Sequence, residues 1–204
     1  MRDAFFKIFV SAMGEATSHK AVPENSMQKY KGKLPDALLR YWAAEGWCGY
    51  ADGLFWTVNP DDYAHILTMW LEGTKFEKVD RYYVIGRSAF GDLYAWGEKY
   101  GRKLTVSCSA NYVFALESEV GSRCKDADLE IQSFFSMCDR EGFDMEDNQG
   151  DFLYDRALKK LGSLDESEMY GFEPALVAGG AVSLDSLVKV NLDVHLTIIW
   201  QMGS

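Results

Sequence analysis

Apolar positions fall along this chain in short blocks whose spacing switches between helical and strand periods. Most positions from Asp3 to Met13 are apolar, which predicts a helix, and a polar, Pro-containing connection follows from Gly14 to Lys33. Pro35 stands where the first turn of a helix tolerates proline, and Leu38, Leu39 and Trp42 then share one face up to a stop near Gly46. Small and polar residues between Gly49 and Gly53 predict a turn, and Leu54–Val58 a strand. Asn59-Pro60-Asp61-Asp62 reads as a helix start: Asn59 as N-cap, Pro60 in the first helical position, two acids against the macrodipole. The inward stripe of that helix is Tyr63, Ile66, Leu67, Trp70 and Leu71.

The middle of the chain changes period. Tyr82–Ile85, Leu93–Trp96, Leu104–Ser107 and Tyr112–Leu116 are short β-favouring runs separated by Gly-containing and polar turns, the pattern of an antiparallel meander. Helical patterns return at Asp126–Asp139, with Leu129, Ile131, Phe134, Phe135 and Cys138 apolar, and at Gly150–Leu161. Gly171–Gly180 reads as a connector that drops Ala175–Ala178 into the core, and Ser183 reads as the N-cap of a further helix with Asp185 in its first turn. Val190–Met202 carries both strand-favouring residues and helical spacing, and is assigned as helix. The fold class is therefore α+β, an antiparallel meander flanked by helices. Two regions, 1–80 and 81–202, are expected to pack as one compact unit. The terminal Gly203-Ser204 reads as a cloning remnant and is set aside.

Composition narrows the function. A chain of 204 residues with 48% hydrophobic residues buries a substantial core. Four of the six tryptophans, Trp42, Trp47, Trp56 and Trp70, fall between Leu34 and Gly73, so recognition is favoured over chemistry. No apolar run reaches the roughly 20 residues that span a bilayer, and the N-terminal stretch, with Asp3 and Lys7, lacks the form of a secretory signal. Cys48, Cys108, Cys124 and Cys138 form no C-x-x-C pair, which predicts reduced thiols and a cytoplasmic protein. The net charge of −10 opposes direct contact with nucleic acid and suits a basic protein partner. Residues 126–168 hold thirteen acids against four bases, so nearly all of that excess sits in one stretch. Asp139, Glu141, Asp144, Glu146, Asp147 and Asp151 are its candidate partner-binding residues.

Candidate chemistry is sparse. Asp61, Asp62 and His65 share a helix and offer metal-ligand types, but helix-start acids beside a surface His explain them better. His195 is expected to be a hydrogen-bonded core residue, and His19 to lie in a loop. Gly86-Arg87-Ser88-Ala89-Phe90-Gly91 lacks both G-x-G-x-x-G spacing and the Lys of a P-loop, so no cofactor is implied. Arg87 is expected to be structural, paired with a carboxylate such as Asp92.

One stretch carries a family resemblance. The run LP-x-x-LL-x-YW-x-x-EGW-x-GY-x-x-GLFW-x-VNP-x-x-Y, from Leu34 to Tyr63, resembles the GAD-like domain. IGRSAFGDLYAW (Ile85–Trp96) and the terminal HL-x-II-x-Q (His195–Gln201) are similar to the domain that follows it in immunity proteins of bacterial type VI secretion systems. The glycine-bounded hairpin also resembles the wider SUKH immunity group. The resemblance implies a cytoplasmic antitoxin, without catalytic residues, that binds and blocks a cognate effector of DNase type. A protein-interaction adaptor without a toxin shares the same features. A metal-dependent hydrolase using Asp61, Asp62 and His65 is the third reading.

Overall fold

The computed structural model describes residues 2–115 and 122–203. Helix α1 (Ala4–Met13) begins on Asp3, whose carboxylate accepts the backbone N–H of Phe6, and stops at Gly14. The polar connection that follows holds two elements that its composition hid, β1 (Ser18–Lys20) and α2 (Glu24–Tyr30). All three residues of strand β1 are exposed and the strand exists through pairing with β2, so no apolar alternation marks it. Helix α3 (Asp36–Glu45) follows Pro35 and ends at Gly46. Strands β2 (Trp47–Tyr50) and β3 (Phe55–Thr57) flank a single 3₁₀ turn. Helix α4 (Pro60–Leu71) starts as its sequence signals require, with the Asn59 side chain accepting the backbone N–H of Asp61 and the whole predicted stripe buried.

Four strands complete the meander: β4 (Tyr82–Ser88), β5 (Leu93–Gly97), β6 (Gly101–Ser107) and β7 (Tyr112–Ala115). Leu116, assigned to the last strand from sequence, lies outside the described residues. All seven strands form one antiparallel sheet in chain order, so β3 of the N-terminal region pairs directly with β4. Then come α5 (Ala127–Ser136), α6 (Tyr154–Leu161), the hairpin β8 (Glu168–Phe172) and β9 (Leu187–Asn191), and α7 (Leu192–Gly203). The helix predicted from Ser183 is not there. Ser183 and Ser186 instead close a hydroxyl-bonded turn, and Val188 and Val190 extend along β8. Residues 171 and 172 of the expected connector belong to β8, and Ala175–Val177 stay half-buried with Ala178 exposed. In α5, Leu129 is exposed because the inward face is set by Ile131 and Phe135.

Residues directly opposite in a sheet share a face, so register sorts the side chains into two layers. Tyr50 opposes Phe55, Phe55 opposes Ser88 and Gly86 opposes Tyr94, which places Tyr50, Phe55 and Tyr94 on one face. The α1–α5 pair covers it, and Phe6, Phe9, Tyr41 and Phe135 meet there edge to face or tilted. Gly86 is required by this packing, since a Cβ there would lie 2.8 Å from the Phe55 ring. The opposite face carries the Trp56–Arg87 pair, with α4 packed over β4 and against α7.

Arg87 is structural, but Asp92 is not its partner. Arg87 is fully buried on β4, whereas the Asp92 carboxylate accepts from the Ser107 hydroxyl at 2.9 Å and burial pushes its pKa up to about 6. Among the described residues no helix is long and apolar enough to cross a membrane. All four cysteines are free.

Phe135 is fully buried among Phe6, Phe9, Tyr41 and Phe55, so Phe135→Ala is expected to cost about 3–5 kcal/mol in a urea titration. The raised pKa of Asp92 fixes a second outcome. The native state holds that proton more tightly than an unfolded chain with its ordinary value of 3.8, so stability falls as pH rises from there through about 6. Asp92→Asn is expected to flatten this slope and to add roughly 2–3 kcal/mol at neutral pH, read from urea midpoints across the window.

Candidate partner-binding surface

The part of the acidic stretch that holds the six candidate residues, 137–153, is a loop between α5 and α6, fastened to the core. Phe143, buried in a 3₁₀ turn (Glu141–Phe143), stacks on Phe55 with ring centroids 4.5 Å apart. Where α6 begins, Tyr154 is buried, and its hydroxyl donates to the backbone oxygen of Asp52 at 2.6 Å. A bridge between Glu146 and Phe152 closes the loop on itself.

The six acids divide into two roles. Asp144 accepts the backbone N–H groups of Met145 at 2.7 Å and Tyr154 at 2.9 Å, so it supplies the cap that Leu153, at the start of α6, has no side-chain oxygen to give. Burial raises its pKa. Asp147 is also turned inward, its side chain only 7% exposed, bridged to Arg156 at 2.6 Å and accepting the N–H groups of Gln149 and Asp151. The Arg156 guanidinium holds its carboxyl below the usual range. Asp139, Glu141, Glu146 and Asp151 face solvent, with Asp139 accepting the Gly142 N–H at 2.7 Å. Flanking them in the chain are two exposed apolar side chains, Met137 at 80% and Phe152 at 39% exposure. Sequence reasoning missed both. Periodicity hands apolar residues to the core, and here the helix ends just before one and the bridge turns the other out.

The histidine and carboxylate candidates separate. Asp61 bonds Lys29 and the Tyr30 hydroxyl, Asp62 accepts from the Asn59 side chain at 2.9 Å, and His65 reaches across to Asp193 on α7. Among the described residues no group of three or more His, Cys, Asp and Glu side chains is placed to hold a metal ion. His195 is half-buried against Gly171 at the start of α7, and that burial lowers its pKa. His19 belongs to β1 rather than a loop, its Nδ1 3.6 Å from the Cys48 sulfur. That thiol donates to the backbone oxygen of Glu45 and burial pushes it up to about 11, the opposite of an activated nucleophile.

A cavity of about 260 Å³ lies on the other face of the sheet, between β1, α4 and the start of α7. Trp47, Trp56, Tyr63 and Arg87 line it, with Lys20 and Glu166 ion-paired at 3.0 Å among its lining residues. The Arg87 guanidinium lies 4.8 Å from the Trp56 ring centroid and donates to the backbone oxygens of Ser88, Asp165 and Glu166. The alternation of single residues on β3 and β4 builds this site, and no contiguous motif marks it.

The split among the acids has a measurable consequence. Asp144→Ala strips the cap from α6 and is expected to cost about 1–2 kcal/mol in a urea titration, whereas Glu141→Ala stays within about 0.5 kcal/mol.

Comparison with known proteins places this architecture. Residues 4–110 match the GAD-like domain, and residues 128–203 match T6SS immunity protein Tdi1, C-terminal. The structure is similar to the crystal structure of Atu4351 from Agrobacterium tumefaciens, with a TM-score of 0.86 at 24% identity, covering 96% of this chain and 88% of that one. At that identity the likeness carries the fold alone. No curated protein sequence matches the chain. The first match spans more than half of the 204 residues, so the chain belongs to the GAD-like domain family, continued by a segment similar to T6SS immunity protein Tdi1, C-terminal.

Proposed function

We propose that this chain is a cytoplasmic immunity protein, without catalysis of its own, that binds and neutralises a cognate type VI secretion effector. The effector is a DNase, and binding covers the basic surface by which it holds DNA. The observation that carries the reading is the match of residues 128–203 to an immunity protein, because that span contains the whole acidic loop.

A nuclease presents Lys and Arg to phosphates, so an inhibitor with a net charge of −10 is drawn to the same surface and needs no contact with DNA or membrane. Rim charges mainly speed encounter, while retention needs desolvated anchors. The loop offers both classes of group: Asp139, Glu141, Glu146 and Asp151 facing solvent, with Met137 and Phe152 exposed on either side of them in the chain. Its fastening by Phe143, Asp144 and Tyr154 presents that surface at little ordering cost.

Two measurements test this. Expressing the adjacent reading frame in a test bacterium is expected to degrade chromosomal DNA, and co-expressing this chain to prevent it. Rescue from a toxin that leaves DNA intact removes the nuclease, and a harmless neighbour moves the reading to an adaptor. Glu141→Lys, Glu146→Lys and Asp151→Lys together are expected to slow association with the effector by one to three orders of magnitude at low salt, with the thermal midpoint kept. An unchanged association rate takes the loop out of the interface.

A further inference from the structure

The cavity on the Trp56 face has a feature that the immunity reading does not use. Arg87 is fully buried, yet its hydrogen-bond acceptors are all neutral, the backbone oxygens of Ser88, Asp165 and Glu166 and the Tyr63 hydroxyl, and its Nε–H has no acceptor among the described residues. A buried cation is costly unless a counter-charge compensates it. Asp165, whose charge also acts on Arg87, makes no contact with the guanidinium through its carboxylate, which accepts from Ser167, and the carboxylates that line the cavity are committed elsewhere: Glu166 to Lys20, Asp193 to His65, and Asp62 to the Asn59 side chain. The partial positive ends of two twelve-residue helices also reach the cavity, through Asn59 and Asp62 of α4 and Leu192 and Asp193 of α7.

We propose that this cavity binds a small organic monocarboxylate, its charged group compensating Arg87 and its apolar body packed against Trp47, Trp56 and Tyr63. The rings favour a planar or branched apolar body, and a volume of about 260 Å³ limits it to little more than one ring with a short side arm. The charge is set by what surrounds it. One Nε–H and a neighbouring Tyr63 hydroxyl are too few donors for the terminal oxygens of a phosphate, and three nearby carboxylates oppose a dianion more strongly than a monoanion. The site shares no residue with the acidic loop, so the inference stands apart from the immunity reading.

Calorimetric titration of the full chain with 3-phenylpropionate, indole-3-acetate and 4-methylpentanoate tests it, with 3-phenylpropionamide as the neutral isostere. At least one carboxylate is expected to bind saturably at one site per chain, and the amide at least tenfold more weakly. Ser18→Trp changes an exposed lining residue on β1, where tryptophan suits a strand. It is expected to abolish binding while leaving the thermal midpoint in place, and Arg87→Met is expected to equalise acid and amide wherever it folds. The proposal is overturned if no carboxylate binds at roughly 10 mM, if the amide binds as well as the acid, or if binding survives Ser18→Trp.

Discussion

Phe55 lies where the sheet, the helical layer and the acidic loop converge. Its ring stacks on Phe143 at 4.5 Å and sits within 6.4 Å of Phe9, Tyr94, Phe134 and Phe135. The loop therefore shares its anchor with the α1–α5 pair and with the strands beneath. Only a residue without a Cβ fits at position 86 under that ring, which is why a glycine interrupts an otherwise continuous β-favouring run on β4. Pairing of β3 with β4 then sets the opposite face, because holding Phe55 against the helices turns the next residue, Trp56, toward Arg87.

The acidic loop obeys a second constraint, the need to hold many like charges in a short segment without unravelling it. Two carboxylates are consumed internally, Asp144 on the backbone that begins α6 and Asp147 on Arg156 and two turn N–H groups. Arg140 pairs with Asp155, which adds a compensating charge beside Tyr154. The remaining acids face water, where their mutual repulsion is screened. A surface built in this way keeps its negative field and its shape together.

Much of this was legible in the sequence where local physics decides. The Asn59-Pro60 start of α4 and its five-residue stripe, the Gly46 stop and the meander strands follow from capping, proline geometry and alternation, which need no distant partner. Where a distant partner decides, the pattern was silent or misleading. Strand β1 is polar and depends on β2, and the run after Ser183 became a strand because β8 lay beside it to pair. The acidic loop was visible as a run of charge, but its division into fasteners and outward groups depends on which backbone N–H groups close around each carboxylate. Arg87 shows the same limit: its burial was foreseeable, while its neutral partners come from residues 78 and 79 positions away.

The two faces of the sheet keep their charges in opposite ways, and that contrast bears on how they serve binding. On the loop side, negative groups stand in water, where long-range attraction acts on encounter and costs no desolvation. On the Trp56 side a positive group is withdrawn from water, where attraction acts only at contact but more strongly in a low dielectric. A large cationic partner is suited to the first arrangement, a small anion to the second. Separation by a sheet whose central strands are packed on both faces lets the two coexist, because neither field need be weakened to stabilise the other. The same strands that turn Phe55 toward the loop turn Trp56 toward the cavity, so the single-residue alternation of β3 gives the molecule both surfaces.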